Sequence, residues 1–385
     1  MRGFGIGMSD QEKQSGVAAV VLAAGMSRRM GTPKQLLRLD GETILERTLK
    51  NVRASKVSEI VLVLGHAADD VQKTIATQGL KVVINPEYQQ GMGSSRRSGL
   101  VAVDAAAKAA IIVLADQPWV RAETFNRLIE CHRERKPQII VPTYRGFRGN
   151  PVLLDRSVFA EAQALNGDVG CRAIFGDHTE GIVKLRVDDP GILLDIDSRD
   201  DLENLSGAEE RDASGKSSES GIAVLECRDG IVPGVPELVL VGRDAVVLAL
   251  TKFGRVLNFI VTVVDPFLRL AELPEADRIL HALDFSLLPP AAERFVVVAS
   301  RGQFDEEAVQ EAVLADSSYI ALLANKKRSQ EVTRSLGAQS IPAAKLAAVR
   351  APAGLEIGAR TPEEIALSIM AAIVATRRQR EKLTS

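Results

Sequence analysis

The sequence predicts an α/β protein of two domains, each a mostly parallel sheet flanked by helices, and three observations carry that prediction. Short β-branched runs alternate with longer segments of helical period, the pattern of strands buried beneath crossover helices. The alternation stops at a charged, Ser/Gly-rich stretch, SGAEERDASGKSSESG at 206–221, and then begins again. A length of 385 residues, 46% of them hydrophobic and 25% charged, suits about two globular domains.

In the first domain, 17–205, the buried strands are expected at VAAVVLAA (17–24), EIVLVLG (59–65), KVVINP (81–86), AAIIVLAD (109–116) and QIIVPT (138–143). Helices are expected between them at 43–54, 67–78, 94–107 and 122–135, lengths that match the connections of an open parallel sheet. The stretch 206–221 has no residue suited to anchoring a core, so it reads as a linker. The second domain, 222–376, has strand candidates ELVLVG (237–242), FIVTVVD (259–265), RFVVVAS (294–300) and YIALLA (319–324). Thr361 and Glu364 stand at capping-box spacing with Pro362 at the first helical position, which predicts a helix from there to about Thr376. Residues 377–385, RRQREKLTS, read as a solvated basic tail, and 1–16, Gly-rich and then polar, as a flexible N-terminal arm.

A formal net charge of −2 gives no whole-molecule electrostatic footprint for nucleic acid. Cys131, Cys171 and Cys227 are widely separated and form no CxxC pair, so neither a disulfide framework nor a zinc ribbon is expected, and a reducing cytoplasm fits best. The N-terminus lacks the regions of a secretory signal, and no apolar run reaches the ~18 residues of a membrane span. His66, His132, His178 and His281 have no metal-ligand spacing and are expected in structural roles; Trp119 reads as packing, and Cys171 as a small space-filler.

The most informative stretch is LAAGMSRRMGTPK at 22–34. It follows a buried strand and, after Leu22, packs small residues, Ala23, Ala24, Gly25 and Ser27 among them, ahead of the next element. Small residues let backbone N–H groups approach phosphate oxygens, while Arg29 and Lys34 supply charge for the β/γ and α phosphates. Asp116 ends a strand and precedes Pro118, so its carboxylate should project from the sheet edge where ligands collect. Such a carboxylate suits Mg²⁺, which takes one or two protein carboxylates and completes its shell with phosphate oxygens and water.

These residues resemble a known family. LAAG-x-S-x-R-M-G-x-x-K is similar to the signature of the molybdenum cofactor cytidylyltransferases and their nucleotidyltransferase relatives, whose fold is nucleotide-diphospho-sugar transferase-like. The resemblance runs from Val17 to about Leu205, continuing through GMGSS (91–95), LADQP (114–118), GFRGNP (146–151), Gly167-Asp168 with Gly170 and Arg172, and DIDS (195–198). It implies catalytic roles for Arg29, Lys34 and Asp116, and a metal held by Asp116 with Asp197, or Asp195 as the alternative. It also implies nucleotide contacts from Gly93 and Ser95, and an acceptor site at Arg148, Gly149, Asn150 and Asp168. Relatives that use GTP tend to carry glycine where this chain has Ala24, so CTP is the expected substrate, with Mg²⁺ as cofactor and molybdenum-bearing molybdopterin as acceptor. A sugar or polyol phosphate acceptor stays open, as does a noncatalytic carrier that hands the cofactor to an apo molybdenum hydroxylase.

In the second half, RAPAGLEIGARTPEEIA at 350–366 resembles the terminal signature of the xanthine dehydrogenase accessory family, whose C-terminal domain is Rossmann-like. The resemblance places Asp265 where a Rossmann acidic residue ends the second strand, and implies service to molybdenum hydroxylases and a homodimer. However, Gly242-Arg243-Asp244-Ala245-Val246-Val247 keeps only the first glycine of a GxGxxG fingerprint. Asp244 would set a carboxylate against a pyrophosphate, and Val247 adds bulk where the third glycine belongs. The expectation is a Rossmann fold without tight NAD binding, serving as a docking or dimerisation module.

Overall fold

The computed structural model describes residues 16–26, 32–167, 170–178, 180–196, 224–228, 235–338 and 341–384. The chain divides into two compact units, one of Met1–Tyr144 with Arg148–Ser217 and one of Arg145–Phe147 with Ser218–Ser385. The linker stretch 206–221 and the arm at 1–15 lie outside the described residues.

The first unit holds strands β1 (Val17–Ala23), β2 (Arg38–Leu39), β3 (Glu42–Thr43), β4 (Glu59–Leu64), β5 (Lys81–Ile84), β6 (Ala109–Leu114), β7 (Ile139–Tyr144), β8 (Phe147–Arg148), β9 (Val152–Asp155) and β10 (Ile182–Arg186). Its helices are α1 (Ile44–Arg53), α2 (Ala68–Thr74), α3 (Met92–Ala102), α4 (Ala122–Arg135) and α5 (Phe159–Ala164). The main sheet runs β10-β7-β9-β6-β1-β4-β5, with β8 paired to β7. β1 pairs in parallel with both β4 and β6, while β9 enters antiparallel between β6 and β7. β1 is buried because helices cover both faces. Val17, Ala19 and Val21 pack into one core cluster, and Ala18 and Val20 into the other. A strand buried on both faces reads as a continuous apolar run instead of an alternating one, which is what 17–23 shows.

Local chemistry sets the helix starts. Thr43 caps α1 with its Oγ1, which accepts the Glu46 N–H at 3.1 Å, while Glu46 Oε2 takes the Thr43 N–H at 2.8 Å. In α3, Gly99 lets the helix lie directly on Val20 and Val63, where a Cβ would clash.

The second unit holds β11 (Leu225–Cys227), β12 (Glu237–Val241), β13 (Ile260–Val264), β14 (Arg278–Leu280), β15 (Arg294–Val298), β16 (Tyr319–Leu322) and β17 (Val349–Arg350). Its helices are α6 (Ala245–Val256), α7 (Asp305–Leu314), α8 (Lys326–Ala338), α9 (Ala343–Leu346) and α10 (Pro362–Thr384). The sheet order is β11-β14-β13-β12-β15-β16-β17, parallel except for β11. This is the doubly wound, Rossmann-like arrangement. α10 does not stop at Thr376 but continues to Thr384, so 377–384 is helical, with 378–380 exposed to solvent. Arg377 accounts for part of this: its Nε lies 3.6 Å from Glu293 Oε2 and its guanidinium 5.9 Å from the Phe259 ring centroid. Among the described residues, no helix is long and apolar enough to cross a membrane.

Candidate active site

In an open α/β sheet the ligand crevice forms where neighbouring strands send their connections to opposite sides. In the first unit that point lies between β1 and β6, because the chain leaves β1 for β4 and β5 on one side and returns as β6 on the other. A cavity of about 410 Å³ opens there. Leu22, Ala24, Gly25 and Met26 line it from the end of β1, and Leu114, Ala115 and Asp116 from the end of β6. The two strand ends are tied together by the Ala115 N–H donating to Leu22 O at 3.3 Å.

Lys34 and Asp116 meet across this cavity. Lys34 Nζ lies 2.5 Å from Asp116 Oδ2 and donates also to Ile196 O at 3.4 Å. Both side chains keep close to a fifth of their surface exposed, 19% and 18%, so the pair can be reached from the cavity. The Ile196 N–H in turn donates to Asp116 O at 3.0 Å. This bond lays the segment carrying Asp195 against the end of β6, and Ile196 anchors it by burying its side chain with Ile44 and Trp119. Trp119 is therefore a packing residue. Ser27, Arg29, Asp168 and Asp197 lie outside the described residues.

Gln35 is a site residue that sequence reasoning passed over. Its Nε2 donates to Ala23 O at 3.0 Å and to Gly25 O at 3.1 Å, so one buried amide holds the start of the small-residue loop. Its Oε1 is buried without a hydrogen-bond partner among the described residues, in a residue that lines the cavity. The signal available was adjacency, since Gln35 directly follows Lys34.

The opposite wall comes from Tyr88, Gly91, Met92 and Ser95. Gly91 has φ 98°, a conformation that glycine adopts without strain, and it opens α3 so that Ser95 lines the cavity. Gly93 plays a different local part. Its N–H donates to Gly167 O at 2.8 Å, and a Cβ there would meet Leu165 O at 2.6 Å, so Gly93 is where α3 abuts the 165–167 loop. Arg96, fully buried, reinforces that contact by donating to Ala162 O at 2.9 Å and Leu165 O at 3.3 Å.

Residues 148–150, expected on the acceptor side, do not line this cavity and pack elsewhere in the first unit. Arg148 places its guanidinium 5.7 Å from the Phe175 ring centroid. The Gly149 N–H donates to Pro142 O, and the Asn150 N–H to Ile192 O, both at 3.0 Å. Gly149 has no room for a Cβ against Ile192. Residues 148–150 thus run beside the 190–193 turn that leads into Asp195 and Ile196. Cys171 is buried in the core cluster over the other sheet face, and burial pushes its thiol up from the ordinary range.

Three of the four histidines are hydrogen-bonded within the fold through their rings. His132 bonds Asp155 at 2.8 Å, His178 bonds Gln138 at 3.0 Å and Glu161 at 2.5 Å, and His281 bonds Glu226 at 3.1 Å. Among the described residues no three His, Cys, Asp or Glu side chains gather as a metal cluster. A Mg²⁺ that shares its shell with a triphosphate does not require one.

The equivalent crevice of the second unit lies between β12 and β15. There Asp244 Oδ1 accepts the N–H groups of Val246 and Val247, each at 3.0 Å, and so caps α6 with the chain's own carboxylate. Gly242 has φ 119° and abuts Ala299, whose carbonyl oxygen would lie 2.5 Å from an added Cβ. Val247 is buried in the core. Asp265 accepts the N–H groups of Phe267 and Leu268, each at 2.9 Å.

Comparison with known proteins agrees with both halves. Residues 19–182 match the model of the MobA-like NTP transferase domain, and residues 238–373 that of the XdhC Rossmann domain. Nicotine blue oxidoreductase of Paenarthrobacter nicotinovorans is 33% identical over 168 residues, 40% of this chain and 79% of that protein. Molybdenum cofactor cytidylyltransferase of Escherichia coli (strain K12) is 27% identical over 191 residues, 49% of this chain and 94% of that protein. A crystal structure of a homolog from Mycobacterium sp. strain JC1 is 36% identical, covers 51% of this chain and 98% of its own, and superposes with a TM-score of 0.47. The chain belongs to the MobA-like NTP transferase family and is a nucleotidyltransferase, carrying an XdhC Rossmann domain after its transferase domain.

Proposed function

We propose that the chain transfers CMP from CTP to the phosphate of molybdenum-bearing molybdopterin, releasing pyrophosphate, in the maturation of molybdenum hydroxylases. The observation that carries this reading is the Lys34–Asp116 pair in the cavity between β1 and β6. A cation for the phosphates and a carboxylate for a metal stand together where the small-residue loop begins. A noncatalytic carrier would have little use for that combination.

In the reaction, an oxygen of the acceptor phosphate forms a bond to the α-phosphorus of CTP as the bond to the leaving pyrophosphate breaks, in line. A phosphate monoester is already a nucleophile at neutral pH, so no general base is needed. Lys34 offsets charge developing on the α-phosphate, Arg29 acts on the β and γ phosphates, and the N–H groups of Ala24 and Gly25 approach the nucleotide. Mg²⁺, when bound, would be held by Asp116 with Asp197 or Asp195 and would offset charge on the departing pyrophosphate. Arg148, Gly149 and Asn150, with Asp168, form the acceptor side. The methyl of Ala24 on the cavity wall, where a glycine would leave more room, favours a pyrimidine over a purine. The relative named molybdenum cofactor cytidylyltransferase supports the same acceptor.

The second unit, in this reading, does not bind NAD tightly and serves as a docking or dimerisation module, because Asp244 and Asp265 already take the N–H groups at its crevice.

The test is pyrophosphate release with Mg²⁺ and molybdate-loaded molybdopterin, comparing CTP, GTP, ATP and UTP, with Asp116→Ala as control. Release confined to CTP and lost in the variant supports the reading. Turnover only with sugar phosphates replaces the acceptor, and pterin binding without any turnover replaces the transferase with a carrier.

A further inference from the structure

The proposed function assigns Lys34 to the α-phosphate and Asp116 to a divalent cation, yet the fold gives the two residues to each other, Nζ to Oδ2 at 2.5 Å. The two members of the pair are not held alike. Asp116 is fixed through the backbone around it. The Ile196 N–H donates to Asp116 O at 3.0 Å, and two side chains of α1 grip the carbonyls that flank it. Asn51 Nδ2 donates to Pro118 O at 2.9 Å, and Thr48 Oγ1 shares its proton between Ala115 O at 3.2 Å and Ile44 O at 3.0 Å. The end of β6 therefore keeps the carboxylate at the cavity whatever stands opposite it.

Lys34 reaches the same place on a flexible four-carbon stem, with three donors on its ammonium. Its Nζ donates to Asp116 Oδ2 and, at 3.4 Å, to Ile196 O, so it bridges the end of β6 to the segment that carries Asp195. Those are the two segments that the proposed function asks to hold Mg²⁺. The site thus fits a divalent cation on one observation of its own: a cationic group of the chain already stands on the carboxylate as a stand-in. An ammonium and a divalent cation on one half-buried carboxylate repel each other, so each weakens the other's hold.

We propose that Lys34 keeps the metal's place on Asp116 and leaves it only when a triphosphate draws the ammonium away, so that Asp116 takes a divalent cation with or after the nucleotide and not before it. The inference rests on the nucleotidyl-transfer reading of the site and adds an order of binding to it. Charge is matched at both ends of the exchange. The ammonium passes from a carboxylate to phosphate oxygens, and the carboxylate passes from the ammonium to the metal.

The experiment uses Mn²⁺ as the probe, titrated without nucleotide into the full-length protein and followed by electron paramagnetic resonance. The samples are the native sequence, Lys34→Met, Asp116→Asn and the Lys34→Met/Asp116→Asn pair. The expected result is a gain of about tenfold or more in Mn²⁺ affinity in Lys34→Met, from the removal of one like charge beside the carboxylate. The gain should vanish in the Asp116→Asn background, as a double-mutant cycle requires of a direct pair. The reciprocal arm is calorimetric titration with CTP in EDTA. There Asp116→Asn should bind CTP more tightly than the native protein, and the same substitution should bring no gain in the Lys34→Met background. Thermal melts check that each variant is folded, and Lys34→Gln repeats the measurement if Lys34→Met is not. Unchanged or weaker Mn²⁺ affinity in Lys34→Met overturns the proposal, and so does a gain that survives in the double variant, which would be a general effect of charge. Neither arm uses turnover, so pyrophosphate release tests the transferase reading separately. Release from CTP with no change in Mn²⁺ affinity leaves that reading standing and removes this one. A native protein that binds no CTP, with or without metal, removes both.

Discussion

In the first unit the crevice between β1 and β6 is left for a ligand, with Lys34, Asp116, Gln35 and Ser95 facing a cavity. In the second, beside the crevice between β12 and β15, Asp244 is bonded to the first N–H groups of α6, and Asp265 is bonded to the turn after β13. Both sheets obey the same topological rule, and the rule says where a ligand would go, not whether one goes there. The decision rests on a few residues after the first strand. Ala23, Ala24 and Gly25 carry little side chain to keep a phosphate from the backbone, whereas Asp244 supplies its own anion to the first N–H groups of α6.

Substitutions can break this contrast. The largest effect is expected from Lys34→Ala or Asp116→Ala, each lowering kcat/KM for pyrophosphate release by roughly 100- to 1,000-fold, the range for removing one group that stabilises developing charge. Asp244→Ala should leave that rate unchanged, and equal losses from Asp244→Ala and Lys34→Ala would mean that the crevices had been assigned to the wrong units. Next come two glycines that abut backbone. Gly93→Ala would push a Cβ to 2.6 Å from Leu165 O, and Gly242→Ala would push one to 2.5 Å from Ala299 O at φ 119°. Each should cost about 1–3 kcal/mol in denaturant titration. Only Gly93→Ala should also weaken CTP binding, because Gly93 lies in the turn of α3 that presents Ser95.

Asp244→Ala removes an N-cap and should lower stability by about 1 kcal/mol, measurable as a shift in the melting of the full chain. The smallest effect is one of pH, and here the units behave alike. Glu46 takes the Thr43 N–H and Glu364 takes the N–H groups of Arg360 and Thr361, and those bonds hold both carboxyls below their ordinary value. A carboxyl whose folded value is depressed contributes stability above its unfolded value, about 4.3, and loses it as pH falls through the folded value. Acid unfolding followed between about pH 5 and pH 2 should begin later in the native protein than in Glu46→Gln, and coincident curves would remove the capping box from the account.

Much of the fold was legible because buried parallel strands announce themselves. The runs beginning at Val17, Glu59, Lys81 and Ala109 are strands, and α4 runs over 122–135 as its apolar period requires. β9 was not legible. Val152–Asp155 follows the GFRGNP block and was assigned to no element, and its place antiparallel between β6 and β7 depends on contacts far away in sequence. The same limit applies to the site. Lys34 and Asp116 could be named from their local patterns, but their pairing at 2.5 Å joins residues 82 positions apart in sequence. Gln35 carries no motif of its own. Its place at the cavity lies in which atom faces which neighbour, and a residue type alone does not determine that. The end of α10 was misjudged because a basic run looks like a solvated tail, whereas Arg377 lies against Phe259 and Glu293.

The proposed function requires that the first unit's crevice take a nucleotide and that the second unit, whose α6 is capped by Asp244, not bind NAD tightly. Calorimetric titration of the full-length protein with Mg·CTP and, separately, with NAD addresses it directly, with Lys34→Ala as the second sample. Saturable CTP binding at one site per chain, lost in Lys34→Ala, with no heat from micromolar NAD, is the predicted result. Micromolar NAD binding, or CTP binding that survives Lys34→Ala, would contradict it.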